Sequence, residues 1–357
     1  MTVPGGAVPL GGRTRFRRKR ASISWSDSVT ADHVPFRARQ EPALIDRIHP
    51  ELRPLVPALP RVDIAEPAAF RERQRVRAAE LAAAVRRPPG MTVVDRLVPG
   101  PAGAPDVPVR IYAPGGSSSE VGALVWFHGG GYVFGEIEAS ERACVEIADV
   151  VGCVVVSVEY RLAPEHPYPA GLDDCCAALT WVAAHGDELG VDPARLAVGG
   201  VSAGAGLAAA LALRVRDENG PRLVYQVLDN PMLDDRMETA SIREFRDTPL
   251  WTHGQAVLGW DFYLGDRSGQ TPPYAAAARA EDVAGLPPAW ISANELDPLR
   301  DEAIEYALRL LRAGVPVELH HRPGTFHGSN GFAGFSVSDR TREDMHLGLK
   351  TALAEPD

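Results

Sequence analysis

The chain has 357 residues, 45% of them hydrophobic and 24% charged, with a formal net charge of −10 at pH 7. That length suits one large α/β domain with a lid or two smaller domains, and the apolar content supports a sizeable core. The acidic balance argues against nucleic acid as a partner, because phosphate binding wants a cationic face, and no run of about 18 apolar residues is present to span a membrane.

Residues 1–40 are rich in Gly, Pro, Arg and Ser without periodicity and read as a flexible tail, basic at Arg13, Arg15, Arg17, Arg18, Lys19 and Arg20. The stretch that follows, Ala21-Ser22-Ile23-Ser24-Trp25-Ser26-Asp27, is too polar for the apolar segment of an export signal. From 41 to 90 the pattern turns helical. Leu44, Ile45 and Ile48 share one face, and Phe70 to Leu81 reads as a charged amphipathic helix stopped by Pro88-Pro89-Gly90.

Strands and helices then alternate. Thr92 to Val98 and Val107 to Tyr112 suggest a hairpin, and the continuous apolar runs Val121 to Phe127 and Val151 to Val158 suggest central parallel strands. Further strands are expected at Leu196 to Val198, Leu223 to Leu228, Ala289 to Ile291 and Val315 to Leu319. Helices are expected at Ala139 to Val150, Leu172 to His185, Ala203 to Val215, Glu302 to Ala313 and Thr341 to Ala354. Such alternation implies an α/β fold, a mostly parallel sheet of about eight strands flanked by helices. It lapses at about 230–284, where Trp251, Trp260, Phe262 and Tyr263 stand among polar residues and prolines. That segment reads as a cap insertion over the C-terminal edge of the sheet, where ligands sit in such folds. The aromatic residues there either line an acyl pocket or pack the insertion itself.

Cys144, Cys153, Cys175 and Cys176 match no zinc-ligand spacing and read as buried, reduced thiols of a cytoplasmic protein.

Gly200-Val201-Ser202-Ala203-Gly204 fits G-x-S-x-G between an expected strand and an expected helix. In a sharp strand-to-helix turn the serine projects above the sheet, and glycines flank it where the chain passes close to its neighbours. A glycine-rich connection with a capping serine has the same pentapeptide, so the signal is moderate alone. His128-Gly129-Gly130-Gly131 after the strand ending at Phe127 strengthens it. Consecutive glycines allow the N–H groups of Gly129 and Gly130, with that of Ala203, to form an oxyanion hole. No lysine follows them, so a phosphate-binding P-loop is disfavoured, and His128 reads as a structural anchor of the loop.

For this chain order the acid and then the histidine should follow the serine. His327 lies in Gly324-Thr325-Phe326-His327-Gly328 directly after the last strand, whereas His253, His320, His321 and His346 sit in the insertion, in or just past the last strand, or on the terminal helix. Asp297 lies in the loop between Ile291 and the helix opening at Asp301-Glu302, with Glu295 as its rival. Catalytic Ser202, Asp297 and His327 are therefore expected.

With these pieces and Tyr160-Arg161-Leu162-Ala163-Pro164-Glu165-His166-Pro167-Tyr168-Pro169-Ala170, the chain resembles the hormone-sensitive-lipase-like family of bacterial carboxylesterases, within the α/β-hydrolases, over about residues 45–355. In the Tyr160 loop, Arg161 and Glu165 are expected to pair. The resemblance implies N-terminal cap helices (41–90) joining the insertion over a catalytic domain of residues 91–357. It also implies hydrolysis of short- to medium-chain acyl esters without metal or cofactor, on a small-molecule ester, and it is compatible with a homodimer. The family's Asp before the nucleophile, and its Gly-Asn two and three residues beyond the Ala, are here Val201, Ala205 and Gly206. The departure bears on the hydrogen bonds that brace the turn, not on the triad. A lactonase, amidase or deacetylase would use the same apparatus, and a non-hydrolytic binding protein would share the fold.

Overall fold

The computed structural model describes residues 43–116, 120–265 and 269–354, with Met1 and Thr2. The basic cluster at 13–20 lies outside the described residues. Everything below belongs to the compact unit Pro42–Asp357.

Among the described residues, eight strands form one sheet in the order β1-β2-β4-β3-β5-β6-β7-β8. They are β1 (Thr92–Val98), β2 (Val107–Ala113), β3 (Val121–Phe127), β4 (Val154–Val158), β5 (Val191–Val201), β6 (Leu223–Asp229), β7 (Ala289–Leu296) and β8 (Val317–Phe326). β1 and β2 pair antiparallel, as do β2 and β4, and every pairing from β4 through β8 is parallel. All five residues of β4 are buried and β3 is buried except at Val121, as helices on both faces of a parallel sheet require. β1 and β8, at the two edges, expose much of their length.

The helices are α1 (Leu44–Arg47), α2 (Pro67–Ala83), α3 (Glu141–Val151), α4 (Ala170–Ala184), α5 (Gly186–Leu189), α6 (Ala203–Asp217), α7 (Ala240–Glu244), α8 (His253–Leu264), α9 (Arg300–Arg312) and α10 (Ser336–Ala352). α6 buries twelve of its residues, from Ala203 to Leu213 and at Val215. Its small side chains let it lie close against β5 and β6 under the segments that follow them.

Several boundaries differ from expectation. The apolar run from Val151 is cut by Gly152 (φ 76°), which ends α3 in a left-handed cap, so β4 starts only at Val154. β5 begins at Val191 rather than Leu196, and β8 runs on to Phe326. α1 is a single turn that leaves Ile45 exposed, while Ile48 lies beyond it and is buried with Leu52, Leu296 and Phe326. All four cysteines are free, but Cys176 is only partly buried.

Candidate active site

Ser202 follows directly on the end of β5, Asp297 on β7 and His327 on β8. Parallel strands present all their C-terminal ends at one edge, so three residues 95 and 30 positions apart in sequence meet there.

The Ser202 turn is strained: φ is 58° and ψ −118°, a conformation costing a non-glycine residue about 1–3 kcal/mol. Surrounding hydrogen bonds hold it. The Ser202 N–H donates to the Asp229 carbonyl at 2.8 Å, and its own carbonyl accepts from the N–H groups of Gly206 at 3.0 Å and Met232 at 3.1 Å. The flanking glycines are demanded by the end of β3 passing beneath. A Cβ on Gly200 would lie 2.4 Å from the Phe127 carbonyl oxygen, and one on Gly204 would lie 2.1 Å from that oxygen and 2.4 Å from that of His128.

The serine hydroxyl stands 2.9 Å from His327 Nε2, and His327 Nδ1 is 2.8 Å from Asp297 Oδ2. The other Asp297 oxygen accepts the Leu299 N–H at 2.8 Å. All three side chains are buried. A carboxylate can only accept, so Nδ1 carries the proton and Nε2 is left to accept from the serine. The arrangement is a hydrogen-bonded relay from hydroxyl to imidazole to carboxylate. Of the other histidines after the serine, His253 bonds the Ile242 carbonyl, His320 stacks on Trp290 and His346 is buried on α10. Glu295 is turned away, accepting from the Gly324 N–H at 2.6 Å and from Arg47 at 3.2 Å.

In the glycine loop, a Cβ on Gly129 would sit 3.5 Å from the Ser202 Cβ, so the loop backbone lies against that serine. Gly130 has φ 130°, and any side chain there would strike the Phe134 carbonyl at 1.8 Å. Ala203 is the first residue of α6, whose initial N–H groups have no partner within the helix. His128 is fully buried, stacked on Tyr160 at 4.2 Å, with Nδ1 2.8 Å from the Gly129 carbonyl. Burial holds its pKa down at about 4, so at neutral pH it is an uncharged anchor.

Tyr132 explains one of the family departures. A Cβ on Gly206 would meet the Met232 carbonyl at 2.2 Å and the Tyr132 hydroxyl at 2.3 Å. That hydroxyl donates to the Met232 carbonyl at 3.0 Å, occupying the place where an asparagine side chain would begin. The Tyr160 loop also differs from expectation. Arg161 pairs with Asp174 at 2.8 Å, and Glu165 with Arg71 of α2 at 2.8 Å. The loop is not helical, so residues four apart need not share a face.

Of the insertion's aromatic residues, Trp260 and Tyr263 pack on Tyr132, and Phe262 is half-buried against the core. Trp251 alone approaches the relay, its ring centre 5.9 Å from that of His327. A cleft of about 830 Å³ lies between Ile48, Val56 and Ile64 of the N-terminal segment and Leu250, Gln255 and Leu258 on the other side, and no residue of the relay or the glycine loop lines it. Leu250 also lies 3.5 Å from a Cβ position at Gly328, next to His327.

Residues 124–330 match the family model described as the alpha/beta hydrolase fold. The chain belongs to that family.

Within the α/β-hydrolases, the proteins it is similar to include esterases. It is 42% identical to Esterase LipI of Mycobacterium tuberculosis over 249 residues, 69% of this chain and 77% of that protein. It is also 42% identical to Carboxylesterase NlhH of the same species over 248 residues, covering 69% and 77%. Among solved structures, "Bacterial Heroin Esterase" superposes with a TM-score of 0.85 at 44% identity, over 88% of this chain and 100% of that one. This hydrolase is thus a hormone-sensitive-lipase-like carboxylic ester hydrolase. No helix among its described residues is long and apolar enough to cross a membrane.

Asp229, Ser292 and Asn330, which form a polar cluster behind the relay, escape sequence reasoning. The one available sign was an acid closing the mostly apolar run of β6.

Proposed function

We propose that the hydrolase cleaves short- to medium-chain acyl esters through a Ser202–His327–Asp297 triad and a covalent acyl-enzyme. The observation that carries this is the unbroken hydrogen-bonded line from Ser202 Oγ through His327 to Asp297.

His327 Nε2 takes the serine proton as Oγ attacks the ester carbonyl, and the imidazolium so formed is held by Asp297. The carbonyl oxygen becomes an anion and is received by the N–H groups of Gly129, Gly130 and Ala203. Collapse of this intermediate expels the alcohol, which takes its proton from His327, leaving the acyl group on Ser202. Water, deprotonated by the same imidazole, then attacks the acyl-enzyme and releases the acid.

Residues 41–90 and 230–284 act together as the cap, and both contribute walls to the cleft between them, which is lined by apolar and polar side chains alike. A cytoplasmic location fits the free thiols of Cys144, Cys153, Cys175 and Cys176. A fluorophosphonate probe should label the native protein and not Ser202→Ala, and that substitution should lower p-nitrophenyl butyrate turnover by at least about a thousandfold. Unchanged turnover would refute the triad. A series of p-nitrophenyl esters from acetate to laurate, with lactones and anilides alongside, sets the acyl preference and separates an esterase from a lactonase or amidase.

A further inference from the structure

Four of the strand ends at the catalytic edge carry groups already described: His128 after β3, Ser202 after β5, Asp297 after β7 and His327 after β8. Between β5 and β7 lies β6, which ends in a carboxylate with no part in the scheme above. Asp229 Oδ1 accepts three hydrogen bonds, from Ser292 Oγ at 2.5 Å, Asn330 Nδ2 at 2.7 Å and Asn230 Nδ2 at 2.9 Å. The Asp229 main-chain carbonyl accepts the Ser202 N–H at 2.8 Å.

These contacts reach all three arms of the relay. Ser202 is the nucleophile itself. Ser292 is on β7, five residues before Asp297, and Asn330 is in the turn Ser329–Gly331, three residues after His327. Asp229 is also the register partner of Val201 in the parallel β5–β6 pair. In-register neighbours on adjacent strands present their side chains to the same face. Val201 is the position at which the resemblance leads one to expect a carboxylate, and on this chain the carboxylate stands one strand away.

We infer that Asp229 is a positioning residue, which binds the Ser202 turn, β7 and the His327 loop into one unit and supplies from β6 the negative charge that Val201 does not. Three donors and no acceptor around Oδ1 suit the ionised form. Burial pushes the Asp229 carboxyl above its ordinary range, and the donors from Ser292 and Asn330 and the charge on His327 offset part of that rise. The other charged groups involved are Asp297, which faces His327 directly, and Glu302 of α9, which interacts with Asp297.

This role rests on the proposed triad, so Ser202→Ala is measured beside it. Kinetics with p-nitrophenyl butyrate are followed from acid to alkaline pH for the native enzyme, Asp229→Asn, Asn330→Ala and the double variant Val201→Asp/Asp229→Asn. Asp229→Asn is expected to lose about ten- to a hundredfold in kcat, the scale of a misplaced catalytic group, with KM little changed. The acid limb of its kcat/KM profile should move to lower pH, since the base loses a neighbouring negative charge; a purely structural role would leave the limb in place. Restoring a carboxylate at 201 should recover part of the rate. Should Asp229→Asn not fold, a lowered kcat in folded Asn330→Ala, which cuts the tie to the His327 loop, supports the role.

Native kcat and an unmoved limb in Asp229→Asn, or native kcat in Asn330→Ala, overturns it. A double variant no better than Asp229→Asn overturns the exchange with position 201. Hydrolysis that survives Ser202→Ala instead removes the triad, whatever Asp229 does.

Discussion

Replacing Asp297 by Asn tests the relay most sharply, because the two side chains have the same shape and differ in what they offer His327. In the native enzyme one Asp297 oxygen accepts from His327 Nδ1 at 2.8 Å and the other accepts the Leu299 N–H at 2.8 Å. Asparagine has one carbonyl oxygen for those two donors. The Leu299 N–H belongs to the main chain and cannot turn away, so the oxygen goes to it and the amide NH2 faces the imidazole. His327 must then accept at Nδ1 and carry its proton on Nε2, pointing at Ser202 Oγ 2.9 Å away. In that tautomer it cannot take the serine proton. The expected loss in kcat is about 10³–10⁴-fold, or about 4–5.5 kcal/mol of barrier, with KM and melting temperature near native. Steady-state turnover of p-nitrophenyl butyrate beside a thermal melt reads both. A loss below about tenfold in a protein that melts normally would refute the assignment, since tautomer control is worth far more than that. Glu295→Gln is the control: its carboxylate serves Gly324 and Arg47, so it should cost about 1 kcal/mol of stability and little turnover.

Gly204→Ala should unfold the turn or lower stability by more than about 3 kcal/mol, because its Cβ meets two backbone carbonyls that no rotamer change can move. Gly254→Ala, in the first turn of α8 with only the Thr252 hydroxyl at 4.0 Å, should be neutral or stabilising by up to about 1 kcal/mol in urea titrations. The Glu159 carboxyl is pushed up to about 7 from an ordinary 4.5, chiefly by burial. A carboxyl raised on folding binds its proton more tightly in the native state, so native stability falls as pH rises from 4.5 to 7. Glu159→Gln keeps an oxygen for the Ile137 N–H and should gain on the native protein by about 3 kcal/mol across that window, then run parallel above pH 7. A gain independent of pH would show that burial of the charge is not the cause.

Much of this enzyme was legible before its structure. Val121–Phe127 reads as a central strand because a buried parallel strand needs apolar residues on both faces, and the glycines around Ser202 announce a turn too tight for Cβ atoms. Hydropathy cannot show where such a run changes from helix to strand: Val151 closes α3, and the left-handed Gly152 separates it from β4. Nor does proximity in sequence choose ion-pair partners: Arg161 reaches Asp174, thirteen residues on, past the nearer Glu165.

The alternation of strands and helices, and the candidate serine, acid and histidine of the relay, are written in local periodicity and in residue types at strand ends. Which strands lie side by side was decided only by the tertiary structure. That choice set Val201 against Asp229, brought Ser292 and Asn330 to one carboxylate, and fitted the Tyr132 hydroxyl against Gly206. These contacts join residues far apart in the chain, and no local pattern encodes the sheet register that brings them together.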